Sequence, residues 1–220
     1  DLLLKGTTTR DTFQLADERD ALGAQLDVGN TLDLSTVRLS ALRPNLSGSL
    51  ALLVDVARNP AFPEDRVEIQ RKQQLAAIAQ QQASPTGAAQ RVLPGLIYGP
   101  GHANANPGGG LGRASIVQSL SRQALQAWHA NWFKPGSATL IVAGDVTMAQ
   151  LLPEIEKSFG DWAPGTAPAK ALSTASSPGR GKVFLIDKPG APQSVIVAAE
   201  LAPAPGAADD LALESVMRNF

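Results

Sequence analysis

The stretch that most constrains this chain runs over residues 63–84, PEDRVEIQRKQQLAAIAQQQAS, and it reads as one long helix. Pro63 presets the backbone for a first helical turn, and Glu64 and Asp65 complement the positive end of the helix dipole. Arg71 and Lys72 follow in mid-helix. Spacings of three and four place position 77 on one face with Gln70, Gln73, Gln74, Gln80 and Gln81. That face is polar and uncharged, with the methyl group of Ala77 at its centre. By pattern alone it is a surface helix with a solvated glutamine side.

The elements around it are shorter. Residues 1–4 read as the last turn of a helix that Gly6 terminates. A helix follows from Thr9 or Arg10 to Leu22, carrying Phe13, Leu15, Ala16 and Leu22 inward. Residues 24–28 and 32–42 read as two strands around a Gly29-Asn30 turn. Asn45 is placed to cap a helix over residues 46–58. Helices are expected over 85–98, from Ser121 to Phe133 with Leu125, Trp128 and Trp132 as an inward stripe, and over 147–159. The apolar run 138–143, bounded by turn signals, reads as a buried strand. Residues 99–112, GPGHANANPGGGLG, form a glycine-rich loop that lacks the Lys and Ser/Thr of a phosphate-binding loop.

Composition then shifts. Residues 163–181 are Pro, Ala, Ser, Thr and Gly with no apolar period, as in a linker. Beyond them 182–186 and 194–201 read as strands, and Asp209 opens a last helix. The division is therefore a domain over 1–162, a linker over 163–181 and the beginning of a second domain over 182–220. The chain opens in mid-helix and closes without a helix stop signal, so it is expected to be a fragment.

Several classes of function are excluded. A net charge of −1 offers no electrostatic footprint for nucleic acid or an anionic membrane. No apolar run approaches the roughly 18 residues needed to span a bilayer. The absence of cysteine removes thiol chemistry and cysteine-based zinc sites, and it suits a reducing cytosol and an oxidising periplasm equally. His102 and His129 stand apart without companion ligands, as ordinary surface or packed residues. No catalytic residue is assigned.

The order of these stretches is more specific than any one of them. LLKGTTTR at the start, RNPAFPEDRVEIQRKQQLAAI, LSRQALQAWHANWFKPGSATLIVAGDV, FGDWAPG and KVFLIDKPGAPQS together resemble the insulinase/pitrilysin (M16) family of zinc peptidases. The resemblance implies an α+β fold, a mainly antiparallel sheet with helices packed on one face, and the start of a second homologous domain after the linker. It aligns Asp1 with the second His of the family's H-x-x-E-H motif. Ala77, 76 residues further on, aligns with the third zinc ligand, a Glu. Both visible ligand positions are degenerate, so the expectation is no zinc in this chain, with zinc only in a catalytic half.

The implied role is that of an inactive M16 domain. It would help to enclose a peptide or unfolded protein substrate beside a catalytic half, in the same chain or as a partner subunit. The glutamines Gln73, Gln74, Gln80 and Gln81 are the candidate substrate contacts. The alternative is a non-peptidase scaffold or assembly subunit of the same fold.

Overall fold

Helix α2 (Leu46–Arg58) carries the core of the first of two units, which comprises Asp1–Ala76 and Ala114–Lys170. The computed structural model describes residues 1–108, 110–175, 181–201, 207–208 and 210–219. In α2 the side chains of Leu52 and Val56 are wholly buried and Leu53 nearly so, each worth about 1.5–3 kcal/mol of apolar burial. Against them pack Leu15 of α1 (Thr12–Ala21) and Leu26 of β1 (Gln25–Asn30). β1 pairs antiparallel with β2 (Ser35–Ser40), in a register that sets Leu26 opposite Leu39 and Val28 opposite Val37. Those four residues turn toward α1 and α2, while Asp27 and Arg38 fall on the other face, as the period of two requires. The unit is thus α+β, with its helices on one face of a small antiparallel sheet.

Two local expectations shift by a few residues. The hairpin turns at residues 31–34 because the Thr31 hydroxyl accepts the N–H groups of Asp33 and Leu34, at 3.2 and 3.1 Å. Gly29 and Asn30 therefore stay within β1. Helix α1 starts after Asp11, whose carboxylate accepts from the amides of Phe13 and Gln14 at 2.8 Å while Gln14 Oε1 accepts from the Asp11 amide, a reciprocal cap. Leu15 is buried, but Phe13, expected inward, is 72% exposed.

The rest of this unit holds the first part of α3 (Glu64–Ala83), then α5 (Ala114–Ser119), α6 (Arg122–Trp132) and α7 (Met148–Phe159). Arg71 of α3 ties α5 down: its guanidinium donates to the carbonyls of Val117, Gln118 and Leu120. Ser121 caps α6 as expected, its hydroxyl accepting from the Ala124 amide at 3.1 Å. The inward stripe on α6 is corrected. Trp128 and Trp132 are 47% and 38% exposed, and the buried residue of that helix is His129. Residues 138–143 form no strand, and Ile141 is 87% exposed. An apolar run becomes a strand only where a second strand satisfies its amides and carbonyls, and among the described residues β1 and β2 pair only with each other.

The second unit comprises Ala77–Arg113 and Ala171–Phe220. It holds the end of α3, then α4 (Pro85–Tyr98) and α8 (Asp210–Asn219). Ser84 caps α4 by accepting from the Gly87 amide at 3.0 Å, with Pro85 at the first helical position. The expected strands over 182–186 and 194–201 are not formed, for the same want of a pairing partner. Residues 163–175 carry no strand or helix, and the remainder of the expected linker up to 180, like Asp209, lies outside the described residues. No helix among the described residues is long and apolar enough to cross a membrane.

Candidate functional site

Asp1 and Ala77, the positions the family resemblance aligns with zinc ligands, belong to different units. Asp1 is exposed at the head of a 3-10 turn, Leu2–Lys5, and its side chain caps nothing. Leu3 and Leu4 of that turn pack against the core cluster, so its position is set by hydrophobic burial. Ala77 is half-buried on α3, beside the fully buried Ile78. Its methyl group has no lone pair to offer a metal. Among the described residues no group of three or more His, Cys, Asp or Glu side chains could hold a metal ion. The residues present therefore do not fit a zinc site.

The four glutamines differ from one another. Gln73 and Gln80 are exposed, whereas Gln74 and Gln81 are half-buried. Gln81 is committed internally. Its Oε1 accepts from Arg91 at 2.9 Å and its Nε2 donates to the Gly108 carbonyl at 3.2 Å. Arg91 also donates to the Gly112 carbonyl at 2.7 Å. The pair thus ties the C-terminal part of the glycine-rich loop, at Gly108 and Gly112, to α3 and α4.

The densest polar cluster lies elsewhere in the first unit. Asp55, on the apolar helix α2, is 5% exposed. Its Oδ2 accepts from Thr7 Oγ1 at 2.6 Å, Thr9 Oγ1 at 2.7 Å and Arg10 Nη1 at 2.8 Å, and its Oδ1 from Asn59 Nδ2 at 3.0 Å. Burial pushes this carboxyl up, but the hydrogen bonds from Thr7, Asn59, Thr9 and Arg10 outweigh it and hold it below the usual carboxylate range. Arg10 also pairs with Glu18. That bond raises the guanidinium above its ordinary value and lowers the Glu18 carboxyl. Sequence reasoning missed this cluster. Its signal was a lone acid within LALLVDVAR and three hydroxyls beside an Arg in GTTTR, since a buried carboxylate must find donors.

Both histidines are packed residues. His102 stacks on Tyr98 at 4.9 Å; its Nδ1 accepts from the Asn104 amide and its Nε2 meets the Ser173 carbonyl at 2.8 Å. His129 is buried, with Nε2 donating to the Ala57 carbonyl at 2.8 Å. Burial lowers its pKa, opposed by that carbonyl. Neither histidine shares a metal-ligand cluster with other described residues.

Residues 1–106 match the profile described as Insulinase (Peptidase family M16), and residues 119–218 match the one described as Peptidase M16 inactive domain. An uncharacterized zinc protease of Mycobacterium tuberculosis is 27% identical over 72% of this chain and 36% of its own length. The human mitochondrial cytochrome b-c1 complex subunit 1 is 27% identical over 72% of this chain and 32% of its own. The chain thus spans about a third of the length of the curated relatives it matches. Among solved structures, a peptidase M16 inactive domain from Pseudomonas fluorescens superposes with a TM-score of 0.71 at 24% identity, covering 80% of this chain and 42% of that one. That likeness concerns the fold alone. Two profiles of one family, lying end to end over most of the sequence, and a shared α+β fold lead to one conclusion: the chain belongs to the insulinase family of peptidases, M16.

Proposed function

We propose that this chain is a non-catalytic M16 domain that helps to enclose and position a peptide or unfolded protein for a separate, zinc-bearing H-x-x-E-H half. That half lies in the same polypeptide or in a partner subunit. The observation that carries the reading is the side chain at position 77, a methyl group where the family resemblance sets a ligating Glu. Asp1 in place of an imidazole points the same way. A site lacking these ligands cannot hold the zinc-bound water that such a hydrolysis needs, so zinc belongs to the other half.

Enclosure and positioning remain as the contribution of a domain that keeps the fold without the metal. An extended peptide needs its backbone groups paired and its ends confined before attack. Of the candidate contacts, the exposed Gln73 and Gln80 present neutral amides that both donate and accept, and so meet a peptide without imposing a charge preference. Gln81, tied to Arg91 and Gly108, contributes by holding the loop. In this reading residues 1–162 are the inactive domain, 163–181 a linker, and 182–220 the beginning of a second homologous domain.

The test is to assay the catalytic half with and without this chain, measuring peptide cleavage and zinc occupancy in the same sample. Zinc stays bound in both, while kcat/KM without this chain falls at least roughly a hundredfold, about 2.7 kcal/mol of transition-state stabilisation. Undiminished cleavage overturns the reading. It would favour the second one, a non-peptidase scaffold or assembly subunit, which the match to cytochrome b-c1 complex subunit 1 supports.

A further inference from the structure

The turn between α2 and α3 is held in a conformation its residues do not prefer. Phe62 has φ 47°, the one non-glycine residue in the left-handed region among those described, and it is 4% exposed. A bulky side chain there is strained and persists only where its surroundings over-determine it. Three groups of contacts do so. The Ala61 amide donates to the Gly6 carbonyl at 3.1 Å, and the Thr8 amide to the Asn59 carbonyl at 2.9 Å. The Ala61 carbonyl accepts from Arg122 Nε and Nη2 at 3.2 and 2.9 Å. The third is His129, whose ring meets Phe62 edge-on at 6.0 Å, stacks on Phe133 at 4.3 Å and donates to the Ala57 carbonyl just before the turn.

We propose that His129 and Phe62 form an acid-released latch: the neutral imidazole holds the strained 59–63 turn, and its protonation frees that turn and loosens the start of α3. The geometry favours the neutral ring. Nε2 must carry the hydrogen that Ala57 accepts, so a second proton goes to Nδ1 and sets a positive charge on a buried ring packed against Phe62 and Phe133. The charged groups of the packed elements are otherwise engaged or offer no counter-charge. On α2, Asp55 is saturated by Thr7, Thr9, Arg10 and Asn59, and Arg58 pairs with Asp161. On α6, Arg122 is bound to Ala61, and Lys134 beyond it is cationic. At the start of α3, Glu64 and Asp65 are exposed and Arg66 pairs with Asp65. An imidazolium would meet no carboxylate partner among the described residues, with the Ala57 carbonyl and the Phe133 ring face beside it. The lowered pKa of the ring, caused by burial, agrees with this.

The test is amide hydrogen exchange on the 220-residue chain at pH 7.5 and 5.0, corrected for intrinsic exchange rates, with His129→Gln as a neutral variant that keeps a donor. In the wild type, protection at Thr8, Asn59 and Ala61 falls at least about tenfold on acidification, while the core amides of Leu52 and Val56 change far less. In His129→Gln the drop at Thr8, Asn59 and Ala61 shrinks to within about twofold. Unchanged protection in the wild type overturns the proposal, as does an equal drop in both proteins or a parallel loss at Leu52 and Val56. Should the variant not fold, NMR titration of the wild type decides. Loosening of residues 59–62 with the midpoint of the His129 ring supports the latch, and loosening with any other midpoint, including that of His102, overturns it.

Discussion

The Thr7 hydroxyl donates to the Asp55 carboxylate at 2.6 Å across 48 residues of sequence, inside a core of leucine and valine. This bond and its neighbours from Thr9, Arg10 and Asn59 hold the segment after the first turn against α2. Replacing Asp55 by Ala leaves four donors without their acceptor, and the expected loss is about 3 kcal/mol, since removing one partner of a buried ionic cluster strands the others. Thr7→Val removes a single donor and should cost about 1 kcal/mol. Urea unfolding monitored by circular dichroism measures both. A loss below about 1 kcal/mol for Asp55→Ala would show the cluster to be energetically idle.

The same cluster sets an acid limit. The folded carboxyl of Asp55 lies below its ordinary value, so the folded state binds fewer protons than the unfolded chain near pH 4. This contribution is complete above the unfolded pKa of about 3.9 and is lost as pH falls through the folded value. Stability of the wild type should therefore fall below about pH 4 more steeply than that of Asp55→Asn. Melting temperatures between pH 5 and 2.5 check this, and parallel curves would refute it.

Burial on α2 gives a sharper contrast than hydrophobicity alone. Leu52 is 0% exposed whereas Phe13, the larger side chain, is 72% exposed. Leu52→Ala should destabilise by about 2–5 kcal/mol through lost transfer energy and a residual cavity, while Phe13→Ala should stay within about 0.5 kcal/mol. Equal effects in chemical denaturation would contradict the observed packing.

Arg91 bonds both Gln81 and the Gly112 carbonyl. Arg91→Ala should loosen the glycine-rich loop without unfolding the first unit, and limited proteolysis within residues 99–112 should quicken several-fold. Gln81→Leu should act in the same direction through loss of the Gly108 bond. Cleavage rates equal to wild type in both variants would show that the loop is held by other contacts.

Metal content tests the degenerate ligand positions directly. The purified chain should retain no stoichiometric zinc after dialysis, and chelators should leave its melting temperature unchanged. Ala77→Glu by itself should not restore binding, because one carboxylate without imidazole partners makes a poor zinc site. One tightly held zinc per chain, in either protein, would refute the reading.

The sequence alone determined the features whose causes lie within about four residues. The long helix at the centre of 63–84, the Ser121 cap and the apolar face of α2 all follow from local hydrogen bonding and helical spacing. The family was legible in the order of several short stretches. Tertiary structure decided what depends on distant partners. Residues 138–143 have a strand's composition, yet a strand exists only where another supplies its hydrogen bonds. On α6, helical spacing favoured the tryptophan stripe, but a carbonyl of α2 and the ring of Phe62 drew His129 inside instead. The cluster around Asp55 joins residues 45 to 48 positions apart. No local pattern could reveal it, because a buried charge finds its donors only when the chain folds back on itself.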